Sequence, residues 1–286
     1  MIEHAISPPN EAVEHFSKAA SLLSNGRFEG FMDEWIQGRS VLKQNKPPPG
    51  ASIAAPASWR DLNSTFECLF EWRIGGEVLQ QVQGDFPWVQ AESPNFLGAR
   101  SDLAAFNSIA RGDADTLVVA GSGAFPQTMF YLARHSGIKQ LVGIDLDPER
   151  AFFASRLSER CGLSDRLSFK VKNAADFDYS GANITIIASL IEGKAAVVER
   201  IGETAPPGSL VCLRIPRGWG AAFYEQPREA LTASGQLKEL RRWFPAEDSL
   251  FETVASEVLP RKIKDGEYHE KQSNPLENAF FGGRFR

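Results

Sequence analysis

TLVVAGSGAFPQTMFYLARHSGIKQLVGIDLDPERAFFASRLSERCG, residues 116–162, decides the fold. TLVVA (116–120) is a short continuous apolar run, the mark of a strand buried on both faces. A glycine turn follows, then a helical stretch, TMFYLARHSG, a second buried run, QLVGIDL (140–146), and a second helix, DPERAFFASRLSERCG. The alternation continues downstream with RLSFKVK (166–172), ITIIASL (184–190), the helical KAAVVERIGETAP and SLVCLRI (209–215). Strand and helix in turn at this spacing predict an α/β fold whose sheet is mostly parallel and joined by crossovers. QLKELRRWF and LFETVASEVL supply two more strands, the last antiparallel.

Working back toward the N-terminus, the pattern changes at Asp113. NEAVEHFSKAASLLSNGRFEGFMDEWIQGRSVLKQ places apolar residues at helical spacing and predicts two helices joined near Ser24, Asn25 and Gly26. Pro47, Pro48, Pro49 and Gly50 stop any helix. SWRDLNSTFECLFEWRIGGEVLQQVQ again favours helix, interrupted at Gly75 and Gly76, and ARSDLAAFNSIARG reads as a helix capped by Gly112. The expected organisation is an all-helical cap over residues 1–112, a ligand-binding α/β domain over 113–260 and a tail over 261–286.

Composition bounds the function. The 286 residues carry 31 Lys+Arg against 36 Asp+Glu, a net charge of -5, which argues against a nucleic-acid partner. Three cysteines lie far apart with no CxxC pair, and four scattered histidines show no metal-ligand spacing, so no metal is expected. No apolar run reaches membrane-spanning length, and the acidic start MIEHAISPPNEAVEH lacks a signal-peptide core. The expectation is a soluble, cytoplasmic protein acting on a small molecule, with a homodimer possible and no membrane partner.

GSGAFP (121–126) sits where a strand passes into a helix. Glycines there let the backbone run close under a ligand, and the helix N-terminus offers free N–H groups. Pro126 replaces the third glycine of a dinucleotide fingerprint, which favours adenosine or a small carboxylate over a pyrophosphate. Asp145, about two dozen residues on, is placed to accept from both ribose hydroxyls. Asp147 before Pro148 reads as a helix N-cap. NAAD (173–176) flanks the adenine position: Ala174 for ring packing, and Asp176 either for the amino group or as another N-cap. ASLIEGK (188–194) lies at the rim where open sheets bind ligands.

This constellation resembles a class I S-adenosylmethionine (SAM)-dependent methyltransferase fold. GSGAFPQT, GIDLDP and LRIPRGWGAAFY (213–224), with the helical N-terminal region, are similar to the nicotianamine synthase family. The resemblance covers roughly residues 95–230. It implies SAM as substrate, with Gly121, Ser122, Gly123, Phe125, Pro126, Thr128, Asp145, Leu146, Asn173, Ala174 and Ser189 around it. It also implies chemistry other than methyl transfer. Family members attack the carbon bearing the 3-amino-3-carboxypropyl group and release methylthioadenosine. Some transfer that group to an amine such as histidine, and the similar azetidine-2-carboxylate synthases close SAM's own amine onto its chain.

Aligning Asn95 and Phe96 with the family's Asn-aromatic pair puts Leu103 where amine-transferring members carry a glutamate, with Asp102 the nearest acid. That departure favours cyclisation, in which tethering supplies an effective molarity of about 10⁵ M or more. Tyr179, Tyr224 and Phe125 are candidates to face the sulfonium through cation–π contact. Arg214 is a candidate carboxylate clamp or an ion-pair partner, and Asp102, Ser189, Arg214, Tyr179 and Tyr224 form the expected catalytic set. Glu67 and Glu71, four apart, share a helix face with room to enter a cleft, but with Glu77 they read rather as a solvated face. Transfer to an external amine, a small-molecule methyltransferase and a non-enzymatic adenosine-binding module stand as alternatives.

Overall fold

The computed structural model of the chain describes residues 5–48, 51–80, 115–225, 235–243 and 251–260. The N-terminal part opens with β1 (Ala5–Ile6), followed by α1 (Asn10–Ser24) and α2 (Phe28–Gln44), which turn at Asn25 and Gly26 as their spacing predicts. Next come β2 (Ser52–Ile53) and α3 (Ser58–Gln80). β1 and β2 pair in parallel, a two-residue ladder that accompanies the expected N-terminal helices. Two-residue strands leave no alternation for sequence reading to detect.

α3 also departs from expectation. It runs unbroken through Gly75 and Gly76. Two glycines cost a helix roughly 2 kcal/mol relative to alanine, which tertiary packing outweighs. Gly75 has a packing reason, because a Cβ there would stand 2.4 Å from the Phe153 ring.

The sheet contains β3 (Thr116–Ala120), β4 (Gln140–Asp145), β5 (Leu167–Val171), β6 (Ile184–Ile187), β7 (Leu210–Pro216), β8 (Leu237–Trp243) and β9 (Phe251–Val258). Its order is β5-β4-β3-β6-β7-β9-β8. The five strands β3 to β7 are parallel to their neighbours, and β9 runs antiparallel to β7 and to β8, as expected. Helices α4 (Gln127–His135), α5 (Pro148–Arg160) and α6 (Lys194–Thr204) supply crossovers. Asp147 caps α5, accepting from the backbone N–H groups of Glu149 and Arg150.

Both sheet faces are buried, which is why the strands read as unbroken apolar runs. Leu117 and Val119 of β3 pack with Met129 and Phe130 of α4, while Val118 and Ala120 pack with Val197 and Ile201 of α6. α3 straddles two cores: Ile74 and Val78 join the first of these, and Trp59 and Phe66 join Phe16, Trp35 and Phe223 in a third. The expected domain line at 112, with the helix that precedes it, lies outside the described residues, as does the tail 261–286. No helix among the described residues is long and apolar enough to cross a membrane.

Strand order reverses between β3 and β6, where the crossovers leave in opposite directions. A crevice forms outside the C-terminal strand ends at such a point.

Candidate active site

A cavity of about 900 Å³ opens at that crevice. Its floor is the turn after β3. Gly121 and Gly123 adopt φ of 75° and 73°, the left-handed region that side chains disfavour. The N–H groups of Gly121 and Ser122 donate to the Ile144 carbonyl at 2.8 and 3.0 Å, folding the turn over the end of β4. The Gly123 N–H donates to Oδ2 of Asp145 at 2.9 Å, and Oδ1 accepts from the Asp147 N–H at 3.0 Å. Asp145 is buried, lines the cavity and keeps acceptor capacity beyond these two bonds. The Ser122 hydroxyl is buried with no hydrogen-bond partner among the described residues, a group that a bound ligand would satisfy.

The opposite wall is α3, where the structure corrects the solvated-face reading of Glu67 and Glu71. Both line the cavity, and only Glu77 keeps an exposed position, facing Arg73. Glu71 accepts from the Ala124 N–H at 2.8 Å. A Cβ on Gly123 would lie 2.6 Å from the same carboxylate, so this glycine also makes room for Glu71. Burial pushes the Glu71 carboxyl up to about 7; bonds from Ala124 pull it down, Glu67 adds to the rise, and Arg150 and Phe125 oppose it. Neutral pH therefore finds it able both to accept and to release a proton.

Glu67 is held differently. Arg39 Nη1 donates to its Oε1 at 3.1 Å, and the Tyr224 hydroxyl donates to the same oxygen at 3.0 Å. The Arg39 guanidinium lies 5.5 Å from the Phe66 ring centre and 5.8 Å from that of Trp219. Burial opposes the Arg39 charge, but Tyr224 and Glu67 outweigh it and hold the group above its usual range. Burial, followed by the Glu67 charge, pushes the Tyr224 phenol well up, so it remains a donor.

The remaining sequence candidates divide as follows. Phe125, Pro126 and Thr128 line the cavity at the start of α4; Leu146, Asn173 and Ala174 line it beyond the ends of β4 and β5. Ser189 joins them from the rim after β6, and Arg214 and Tyr224 from β7 and its turn. Arg214 Nη2 donates to Thr128 Oγ1 at 2.8 Å, which ties β7 to the helix under the glycine turn. Tyr179 does not reach the cavity. It is fully buried in the core on the α6 face, and its hydroxyl donates to the Ala174 carbonyl at 2.9 Å, so it supports the Ala174 turn from behind. Asp176 is exposed and away from the cavity, and the cap expected of it falls to Asn173, which accepts from the Ala175 N–H. Asp102 and Leu103 lie outside the described residues.

Sequence reasoning took Glu67 and Glu71 for a solvated face and passed over Arg39. The signal was present in α3: Asn63, Glu67 and Glu71 recur every four residues among Trp59, Phe66, Phe70, Ile74 and Val78. Acids interleaved with a buried apolar stripe are costly unless partnered. Lys194 was passed over as well. It is fully buried, donates to the Ile191 carbonyl and stands 3.8 Å from Glu225, linking the turns after β6 and β7.

No family model matches the chain. The erythromycin 3''-O-methyltransferase of Saccharopolyspora erythraea is 27% identical over 193 residues, 62% of this chain and 59% of that protein. The chain thus spans about three fifths of the length of the curated relative it matches. Among solved structures, the nicotianamine synthase MtNAS in complex with MTA and tNA superposes with a TM-score of 0.70 at 16% identity, covering 88% of this chain and 98% of that one. A glutamate-to-glutamine variant of MtNAS in complex with S-adenosylmethionine gives 0.63 at 15% identity, with the same coverage. The chain has a class I methyltransferase-like fold, built as MtNAS is.

Proposed function

We infer that this chain is an enzyme that consumes SAM, displacing methylthioadenosine from the 3-amino-3-carboxypropyl group by attack of an amine, with SAM's own amine the favoured nucleophile. The observation that carries this reading is the Glu71 carboxylate lying against the glycine turn. Methyl transfer leaves the amino-acid end of SAM untouched and has no use for a base beside it. Attack by the α-amine has a direct use for one.

In the proposed pose Asp145 accepts from the ribose hydroxyls, Ala174 packs on the adenine, and the methionine tail crosses the glycine turn toward Ser122 and Arg214. Arg214, oriented by Thr128, pairs with the tail's carboxylate. Glu71 takes one proton from the α-ammonium, whose ordinary pKa of about 8 lies close to that of the raised carboxyl. The freed nitrogen pair attacks Cγ in line with the Cγ–S bond. That bond breaks with its electrons going to sulfur, so the sulfonium leaves as a neutral thioether. The four-membered product leaves as a zwitterion whose ring nitrogen keeps two protons beside its carboxylate, and Glu71 passes its proton to solvent. Phe125 and Tyr224 supply aromatic surface to the sulfonium before it collapses.

Transfer to a separate amine is the second reading, favoured by the wall of Arg39, Glu67 and Trp219, polar and aromatic surface that SAM in this pose does not use. Incubation of the purified protein with SAM alone, followed by mass spectrometry, separates the readings. Methylthioadenosine with a product of azetidine-2-carboxylate mass is the expected outcome. Methylthioadenosine that appears only once histidine or another amine is added selects transfer. S-adenosylhomocysteine in place of methylthioadenosine would overturn both.

A further inference from the structure

Glu67 and Glu71 stand one turn apart on the same face of α3, both at the cavity, yet they are treated in opposite ways. The charged and strong donors on that wall converge on Glu67: Arg39 from α2 and Tyr224 from the turn after β7 both donate to one of its oxygens. Asn63 sits one turn away beside the Tyr224 hydroxyl. Glu71 receives only backbone N–H groups from the glycine turn, at Ala124 and Phe125, with Arg150 of α5 the cation acting on it. Arg150 is itself engaged by Asp147 at 3.3 Å. Glu67 is thus held by two side-chain donors, one of them a cation, and Glu71 is left beside it in a poorly solvated wall.

We propose that Glu67, clamped by Arg39 and Tyr224, is a positioning residue that sets the basicity of Glu71. A like charge one turn away disfavours ionisation of the second carboxyl. This assignment deepens the reading of Glu71 as the base and rests on it. The structural part is nevertheless measurable without turnover, because the Glu71 carboxyl takes up and releases its proton whether or not SAM is present.

The test is an infrared pH titration of the ligand-free, full-length protein, following the protonated-carboxyl band that Glu71→Gln deletes. In the wild type its midpoint lies near 7. Glu67→Gln removes the fixed charge and leaves Arg39 uncompensated, so the midpoint falls by about 1 unit. Arg39→Met removes the cation and raises it by a similar amount, and Tyr224→Phe, which deletes one donor, moves it the same way by less. Glu67→Asp restores the wild-type direction. The variants at positions 39 and 224 keep the test decisive if Glu67→Gln fails to fold. Midpoints that stay at the wild-type value, or that move together in Glu67→Gln and Arg39→Met, overturn the proposal. The acid limb of the pH profile for methylthioadenosine release is expected to follow the same shifts. Shifted bands in a protein that releases no methylthioadenosine would leave this proposal standing and sink the functional reading instead.

Discussion

In the proposed reaction Glu71 takes the proton whose removal frees the nucleophile. Its replacement by Gln keeps size and hydrogen bonding but removes the proton acceptor, so methylthioadenosine release falls by about 10²–10⁴-fold with SAM binding retained, as calorimetry would register. In the wild type the rate rises with pH through about 7, because only the ionised carboxylate is a base. Stability moves the other way. The folded carboxyl titrates above its ordinary value of 4.5, so its contribution is fully present below that pH and is lost as pH rises through about 7. The wild type therefore loses on the order of 3 kcal/mol across that window relative to Glu71→Gln, a difference that denaturant titrations of both proteins at several pH values measure. Asp145→Ala is expected to weaken SAM binding by about 10–100-fold, and unchanged affinity would exclude the ribose assignment. Asp145 was legible in the sequence because its partners, the Gly123 and Asp147 N–H groups, come from adjoining turns of the same β3–β4 unit. Glu71 was not, because a carboxylate on a helix becomes a base only once that helix docks on the glycine turn, and docking leaves no trace in local spacing.

At the scale of elements, α3 is the joint between the N-terminal helices and the sheet, and its two adjacent glycines make opposite predictions. Gly75 faces Phe153 of α5 so closely that a methyl group has no place, so Gly75→Ala is expected to destabilise by about 1–3 kcal/mol through overpacking. Gly76 has nothing within 4 Å of its Cβ position, so Gly76→Ala is expected to stabilise by roughly 0.5–1 kcal/mol through helix propensity. Thermal unfolding of the two single variants checks both, and equal shifts would refute the packing account. The pair also marks where sequence reading failed. Gly75–Gly76 looks like a break because propensity is a local quantity, whereas the continuity of α3 comes from Ile74 and Val78 inserting into the core shared with Met129 and Leu157. The central strands were easier, since β3, β4, β6 and β7 announce their burial by their own composition, while the edge strand β5 alternates and stays mostly exposed. Only the edges blurred: ITIIASL reads as one strand, but Ala188, Ser189 and Leu190 leave the ladder after Ile187 to form the rim of the crevice.

Across the whole molecule, one aromatic cluster joins the N-terminal helices to the sheet. Phe223 lies 5.6 Å from Phe16, 5.3 Å from Trp35 and 6.0 Å from Trp59, ring centre to ring centre. Phe223→Ala is expected to cost about 3–5 kcal/mol and to reduce turnover as well, because the next residue is Tyr224. Circular dichroism and activity followed on the same variant would separate a loss of folding from a loss of geometry. The parallel sheet could be read from sequence because it is a succession of local units. The role of RGWGAAFY (217–224) as a bridge could not, since its aromatic residues find their partners some two hundred residues back along the chain.

That bridge has an evolutionary corollary. Tyr224 belongs by connectivity to the sheet, yet its hydroxyl bonds Glu67 of α3, and its neighbour Phe223 is embedded among side chains of α1, α2 and α3. Recombination that joined this sheet to a foreign set of N-terminal helices at the linker would carry over a tyrosine with no carboxylate to receive it and an aromatic ring with no socket. The helical set and residues 217–224 therefore form one packing unit, in which a change on either side has to be matched by the other.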